Sequence, residues 1–200
     1  MKLPNWIHKI HRRQPAKTIL PSMSVKETFL EYLKKPSVEI FLAVRQKVSE
    51  SDRYLPYSNE LDVLAANLCA EDPQAAIEYF WQTFPSLLLS PSAHMMLSKA
   101  YLDLKKENEA EGEKAMGRLI LKSILATGKG TKKRPYAVMR VDDERDVLSA
   151  LKKRAGAQFL MTDKSRVFDL LQCSDGSEVY FDITLMFGRG TRDDSLPAAG

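Results

Sequence analysis

Residues 123–141, SILATGKGTKKRPYAVMRV, gather the residue types that hold phosphates: glycines, a Gly-Lys pair, threonines and a run of positive charge. A phosphate-binding loop needs a glycine, four residues and then Gly-Lys-Ser/Thr, leading from a strand into a helix. Here the pair is Gly128 and Lys129, Ser123 stands where the first glycine belongs, and Gly130 stands where the hydroxyl belongs. The direction is also reversed, with a helical pattern before the loop and a strand pattern after it. No helix N-terminus is available to a phosphate. The stretch reads as a helix stop at Gly128, a glycine turn and a basic loop entering a strand at Pro135.

Other chemistry-bearing residues are equally scattered. His8, His11 and His94 are the only histidines, and no acid or thiol at ligand spacing joins them, so no metal site and no cofactor is expected. Cys69 and Cys173 lie far apart and read as two reduced thiols. No serine has a nucleophile-elbow context, and no catalytic residue is assigned. Asp142, Asp143, Glu144 and Asp146 crowd one short segment, where capping and dipole compensation explain them. Five polar side chains remain as candidates for a site where helices meet sheet: Lys129, Arg134, Glu144, Tyr180 and Asp182. Lys132, Lys133 and Arg134, with Arg140 and Tyr136 nearby, are candidates for phosphate contacts with a polyanion.

The elements that must position these residues follow from periodicity. Residues 1–22 form a basic lead-in arm, interrupted by Pro4, Pro15 and Pro21. A helical region covers 23–128. Ser24 with Glu27 makes a capping box for the first helix, and a second begins just after Pro36. Ser58 or Asn59 caps the third, Asp72 with Pro73 opens the fourth, and Ser92 caps the fifth. Ala66, Leu68 and Ala76 recur 34 residues later as Ala100, Leu102 and Ala110, the period of tetratricopeptide-like helix hairpins. Residues 129–188 then read β-α-β-β-β. The strands are PYAVMRV, AQFLMT, RVFDLLQC and EVYFDITLMF, and Asp175-Gly176 marks a hairpin turn. In the last strand Val179, Phe181, Ile183, Leu185 and Phe187 alternate onto one face. Residues 189–200 read as a flexible tail. The fold class is α+β, a helical region of repeat-like hairpins followed by a small antiparallel-rich sheet domain.

Composition sets outer bounds. The 200 residues are 44% hydrophobic with a net charge of +4, enough to bury a real core. Charge comes in blocks: residues 1–49 carry 10 Lys/Arg against 3 Asp/Glu, residues 50–113 carry 4 against 12, and residues 122–166 carry 12 against 5. Such blocks steer an acidic partner, or serve as complementary and solvated faces of one molecule. No apolar run is long enough to span a bilayer and no export signal is read at the N-terminus, so a cytoplasmic location is expected.

The span from about 93 to 187 resembles the bacterial family described as domain of unknown function 4919. The residues that carry the likeness are LILKSILATGKGTKKRPYAVMRVDDERDVL, AQFLMTDKSRVFDLL and VYFDITLMFG. Within them Ser123, Ile124, Gly128, Gly130, Tyr136, Glu144, Tyr180 and Phe181 match the family pattern. The resemblance implies no activity, cofactor or catalytic residue, and members of the family often carry export signals. The sequence reading therefore expects a non-enzymatic interaction or adaptor protein with a protein partner. An enzyme with its site at the helix–sheet junction is the alternative. A weak, sequence-indifferent polyanion binder is the third reading, with nucleic acid the less expected partner.

Overall fold

The computed structural model describes residues 23–190. The arm at 1–22 and most of the tail lie outside the described residues. Six helices come first: α1 (Val25–Lys34), α2 (Val38–Glu50), α3 (Glu60–Cys69), α4 (Pro73–Gln82), α5 (Pro91–Asp103) and α6 (Glu107–Thr127). They lead into β1 (Tyr136–Ala137), α7 (Val141–Ala150), β2 (Ala155–Asp163), β3 (Arg166–Cys173), β4 (Glu178–Asp182) and α8 (Thr184–Gly190). The molecule is α+β, as the periodicity predicts.

Local chemistry explains most boundaries. Ser24 and Glu27 form the expected capping box, and the Asp72 carboxylate accepts the Ala75 N–H ahead of α4. The fifth helix starts two residues earlier than its sequence suggests. Ser90 accepts the Ala93 N–H and Pro91 takes the first helical position, while Ser92 donates to Asp146 instead. Ser90 wins because Pro91 after it already has helical φ and no N–H to satisfy.

Two apolar clusters hold these helices. Leu64, Ala76, Phe80, Leu97 and Ala100 form the centre of one, among α3, α4 and α5. In the 34-residue pairing, Ala76 and Ala110 are both fully buried, whereas Ala100 is buried and Ala66 is exposed. The larger cluster joins Tyr32, Phe41, Val44 and Ile120 of the helices to Val138, Val179 and Phe181 of the sheet half.

The sheet order is β1-β4-β3-β2, with β1 parallel to β4 and the other pairs antiparallel. Lys164 and Ser165 close the β2–β3 hairpin, and Lys164 adopts a left-handed φ of +56°. Gly176, at φ +77°, closes the next hairpin where Asp175-Gly176 predicts a turn. The last predicted strand is only half right. It ends at Asp182, whose Oδ1 accepts both the Thr184 N–H and the Thr184 hydroxyl and turns the chain into α8. Val179, Phe181 and Ile183 point inward as alternation requires, but beyond them helical spacing buries Met186 rather than Leu185.

The helix stop expected at Gly128 needs correction. Gly128 does not end α6 in the left-handed region; it is extended, at φ −148°. Glycine is needed there because a Cβ would collide with the Pro135 carbonyl. The helix α7 ends at Ala150 without a glycine, and Lys152 takes the left-handed φ of +57°. Gly156 lies in β2, where a Cβ would come within 2.8 Å of the Gln172 carbonyl oxygen.

Candidate functional site

Four features of the surface and interior could bear function. The first is a buried polar junction between the helices and the sheet. Arg140, 1% exposed, pairs with Glu60 at 2.9 Å, and Ser86 donates to the same carboxylate oxygen at 2.6 Å. The guanidinium also donates to the Leu55 and Ser58 carbonyls. Arg45 donates to the Val138 and Asp182 carbonyls, and the Tyr54 hydroxyl donates to the Met139 carbonyl. A guanidinium can satisfy several carbonyls at once, so it can seal irregular backbone that no ladder reaches. Asp143 accepts the Met139 and Arg140 N–H groups, which caps α7 from inside; burial still lifts its carboxyl to about 7.

Glu144 faces Asp169 of β3 within this region. Burial first, and then the Asp169 carboxylate beside it, raise Glu144 to about 9. It therefore holds its proton at neutral pH and shares it with Asp169, which also accepts from the Gln158 amide at 2.8 Å. Glu144 Oε1, Asp143 Oδ1 and Arg140 Nε are buried without a hydrogen-bond partner among the described residues.

The second feature is an apolar cleft of about 540 Å³ between α1, α4, α5 and α6. Phe80, Leu88 and His94 lie at its floor, all nearly fully buried. The His94 ring is held at both nitrogens, by Glu113 at 2.6 Å and by the Leu88 carbonyl at 2.9 Å. Leu30 and Trp81 stand exposed on its lining, and Lys26 and Arg53 are its two cations.

The third is a shallow concavity of about 510 Å³ at the β2–β3 turn, lined by Lys132, Lys133, Lys164 and Arg166 among others. Lys132 lies 3.5 Å from Asp163 and Arg166 2.9 Å from Asp182, so two of these cations already face carboxylates. The fourth is the outer edge of β2. All of its nine residues are exposed except Met161, which is half-buried, and Phe159 and Leu160 are 46% and 58% exposed.

The five junction candidates do not converge. Lys129 and Arg134 are exposed ends of one small loop, joined by a bond from the Lys129 N–H to the Arg134 carbonyl. Tyr180 and Asp182 share one face of β4, while Phe181 opposite Asp169 marks the other, where Glu144 lies. Asp182 is engaged by Arg166 and Thr184; burial pushes its carboxyl up, and these hydrogen bonds outweigh that and hold it down. Of the polyanion candidates, Lys132 and Lys133 meet at the concavity and Arg134 does not line it. Arg140 and Tyr136 are buried and are not available to phosphate, because apolar neighbours on both sides of each in sequence carry them into the core.

Sequence reasoning missed Arg45, Glu60 and Asp169 altogether. Their signal is faint: each is a charged residue at a core-facing position of an otherwise apolar pattern. His94 is packed in the interior, 3% exposed. Among the described residues no three His, Cys, Asp or Glu side chains gather to hold a metal, and His8 and His11 lie outside them. Cys69 is exposed and Cys173 buried, both as free thiols. Among the described residues no helix is long and apolar enough to cross a membrane. No family model, curated protein or solved structure matches the chain.

Proposed function

We propose that the chain is a non-enzymatic interaction protein that takes up an extended segment of a partner protein as an added strand on β2. The observation that carries this reading is the edge itself. Nine residues long, β2 is open along its outer side and carries neither proline nor charge from Ala155 to Thr162. Edge strands are normally blunted by lysine, proline or a covering loop, because an open row of N–H and C=O groups recruits other chains. Strand addition takes affinity from those main-chain groups and specificity from alternate side chains, here Phe159 and Met161 on one face and Leu160 on the other.

The test is affinity capture by the full chain and by Leu160→Lys, which places a gatekeeper charge on an already exposed position. Hydrogen exchange on the captured complex is the second readout. Partners lost with the lysine, and amides of 155–163 protected in the complex, are the expected results. An unchanged set of partners, or β2 amides that exchange equally fast in the complex, would refute strand addition. Protection that appears in the isolated protein at raised concentration would make the occupant a second copy of the chain.

A further inference from the structure

We infer that the cleft between α1, α4, α5 and α6 is a binding site for a single-chain amphiphile with an anionic head, of the fatty carboxylate class. The inference is independent of the β2 edge and rests on three observations.

The cleft has the size and lining of a small-molecule site. Its volume of about 540 Å³ lies inside the range of roughly 300–1,000 Å³ common for ligand pockets, and such pockets are mostly apolar with few polar groups. Phe29 and Leu33 of α1, Phe84 of the α4–α5 connection and Met116 of α6 supply flexible and aromatic walls without hydrogen-bonding demands. A ligand rich in polar groups would lose its water there without replacement.

A floor of fixed shape lies beneath these walls. His94 cannot swing, because Glu113 and the Leu88 carbonyl hold both nitrogens. The Phe80 ring packs edge-on against the imidazole at 5.5 Å. The floor therefore offers apolar surface around one saturated polar group and asks for no partner of its own.

Charge selects the head group. Lys26 and Arg53 make no ion pair among the described residues, whereas the cleft's one carboxylate, Glu113, is already engaged by His94. An anionic head is favoured at the mouth, and the apolar tail goes inward. A docked protein helix fits less well. A stable protein interface needs on the order of 800 Å² per partner, and among the described residues the exposed large apolar side chains of the cleft are Leu30 and Trp81.

Titration calorimetry with the full chain and octanoate, decanoate and dodecanoate, below their micelle concentrations, tests this. Affinity should rise about fourfold for each added methylene until the cleft is full. Dodecyltrimethylammonium should bind more weakly than dodecanoate. Reversing both cations, Lys26→Glu with Arg53→Glu, should lower dodecanoate affinity roughly tenfold and improve the cationic probe, as expected for two exposed charge contacts. Leu30→Trp, a change at an exposed position, should abolish binding by filling the mouth. Brominated dodecanoate should quench Trp81, with the quench lost in Trp81→Phe. Absence of binding by the full chain overturns the inference, as does equal affinity for both head charges, or binding that survives Leu30→Trp. Leu160→Lys should leave dodecanoate binding intact, so failure of the strand-addition reading and failure of this one are told apart.

Discussion

Glu144 and Asp169 are two carboxyls that share an interior with two arginines, yet neither carboxyl is engaged by a guanidinium. The arginines are committed elsewhere, Arg140 to Glu60 and to loop carbonyls, Arg45 to carbonyls of the sheet half. Removing either guanidinium would leave several acceptors buried and unpaired, the costly half of a buried charge's ledger. Glu144 is stabilised in its protonated form, and this makes the fold sensitive to alkali. Its folded value is raised from the ordinary 4.5 to about 9, so the stabilisation is complete below the ordinary value and is lost as pH climbs through about 9. Asp143, raised to about 7, adds to the lower part of that window. Urea unfolding between about pH 6 and about pH 9 should show stability falling by up to about 1.4 kcal/mol per pH unit for each group, Glu144 across the window and Asp143 only up to about pH 7. Glu144→Gln keeps the shape without the titration and should flatten the profile above about pH 7. Parallel profiles for the two proteins would mean that Glu144 is ionised throughout.

At the scale of elements, the α6–β1 connection carries two glycines with different jobs. Gly130 is left-handed at φ +67°, and its carbonyl accepts the Tyr180 N–H, which ties the loop to β4. Gly128 is extended and needs to lack a Cβ only because the Pro135 carbonyl crosses it. Substitutions should separate the two. Gly130→Asn should cost less than Gly130→Val, since asparagine tolerates left-handed φ and a β-branched residue does not, with costs on the order of 1–3 kcal/mol. At Gly128 alanine, asparagine and valine should all cost a similar amount, because the collision is with backbone. Urea midpoints for the five variants decide this, and a graded series at Gly128 would show that its conformation rather than its contact matters. That Gly130 sits in a turn was readable from its place between a helical and a strand pattern. Which of the two glycines bends was not, because the Pro135 carbonyl reaches Gly128 only once the loop has closed.

The whole molecule is knit across the boundary that periodicity marks near residue 128. Tyr32, Phe41 and Ile120 share one cluster with Val138 and Phe181, and Arg45, Tyr54 and Arg140 hydrogen-bond across it. The helical and sheet halves should therefore open together. The slowest-exchanging amides of α2, α6 and β3 are expected to report one common opening free energy, with β2 lower because no strand among the described residues pairs with its outer edge. A markedly easier opening of β3 and β4 than of α6 would show two independent units. Local rules were enough to place most elements, because caps, prolines and apolar periods act within a few residues: Ser24 with Glu27, Asp72 with Pro73 and Asp175 with Gly176 each specify their own turn of chain. They also set the α+β order and argued against a phosphate loop at Gly128. What they left open depends on distant partners. Met186 is buried only because Asp182 caps a helix, and Arg140 is an interior ion rather than a phosphate ligand because Glu60, 80 residues away, meets it. The cleft under Trp81 and the bare edge of β2 exist only because four helices and four strands took one particular packing, and no short-range pattern encodes the space between elements.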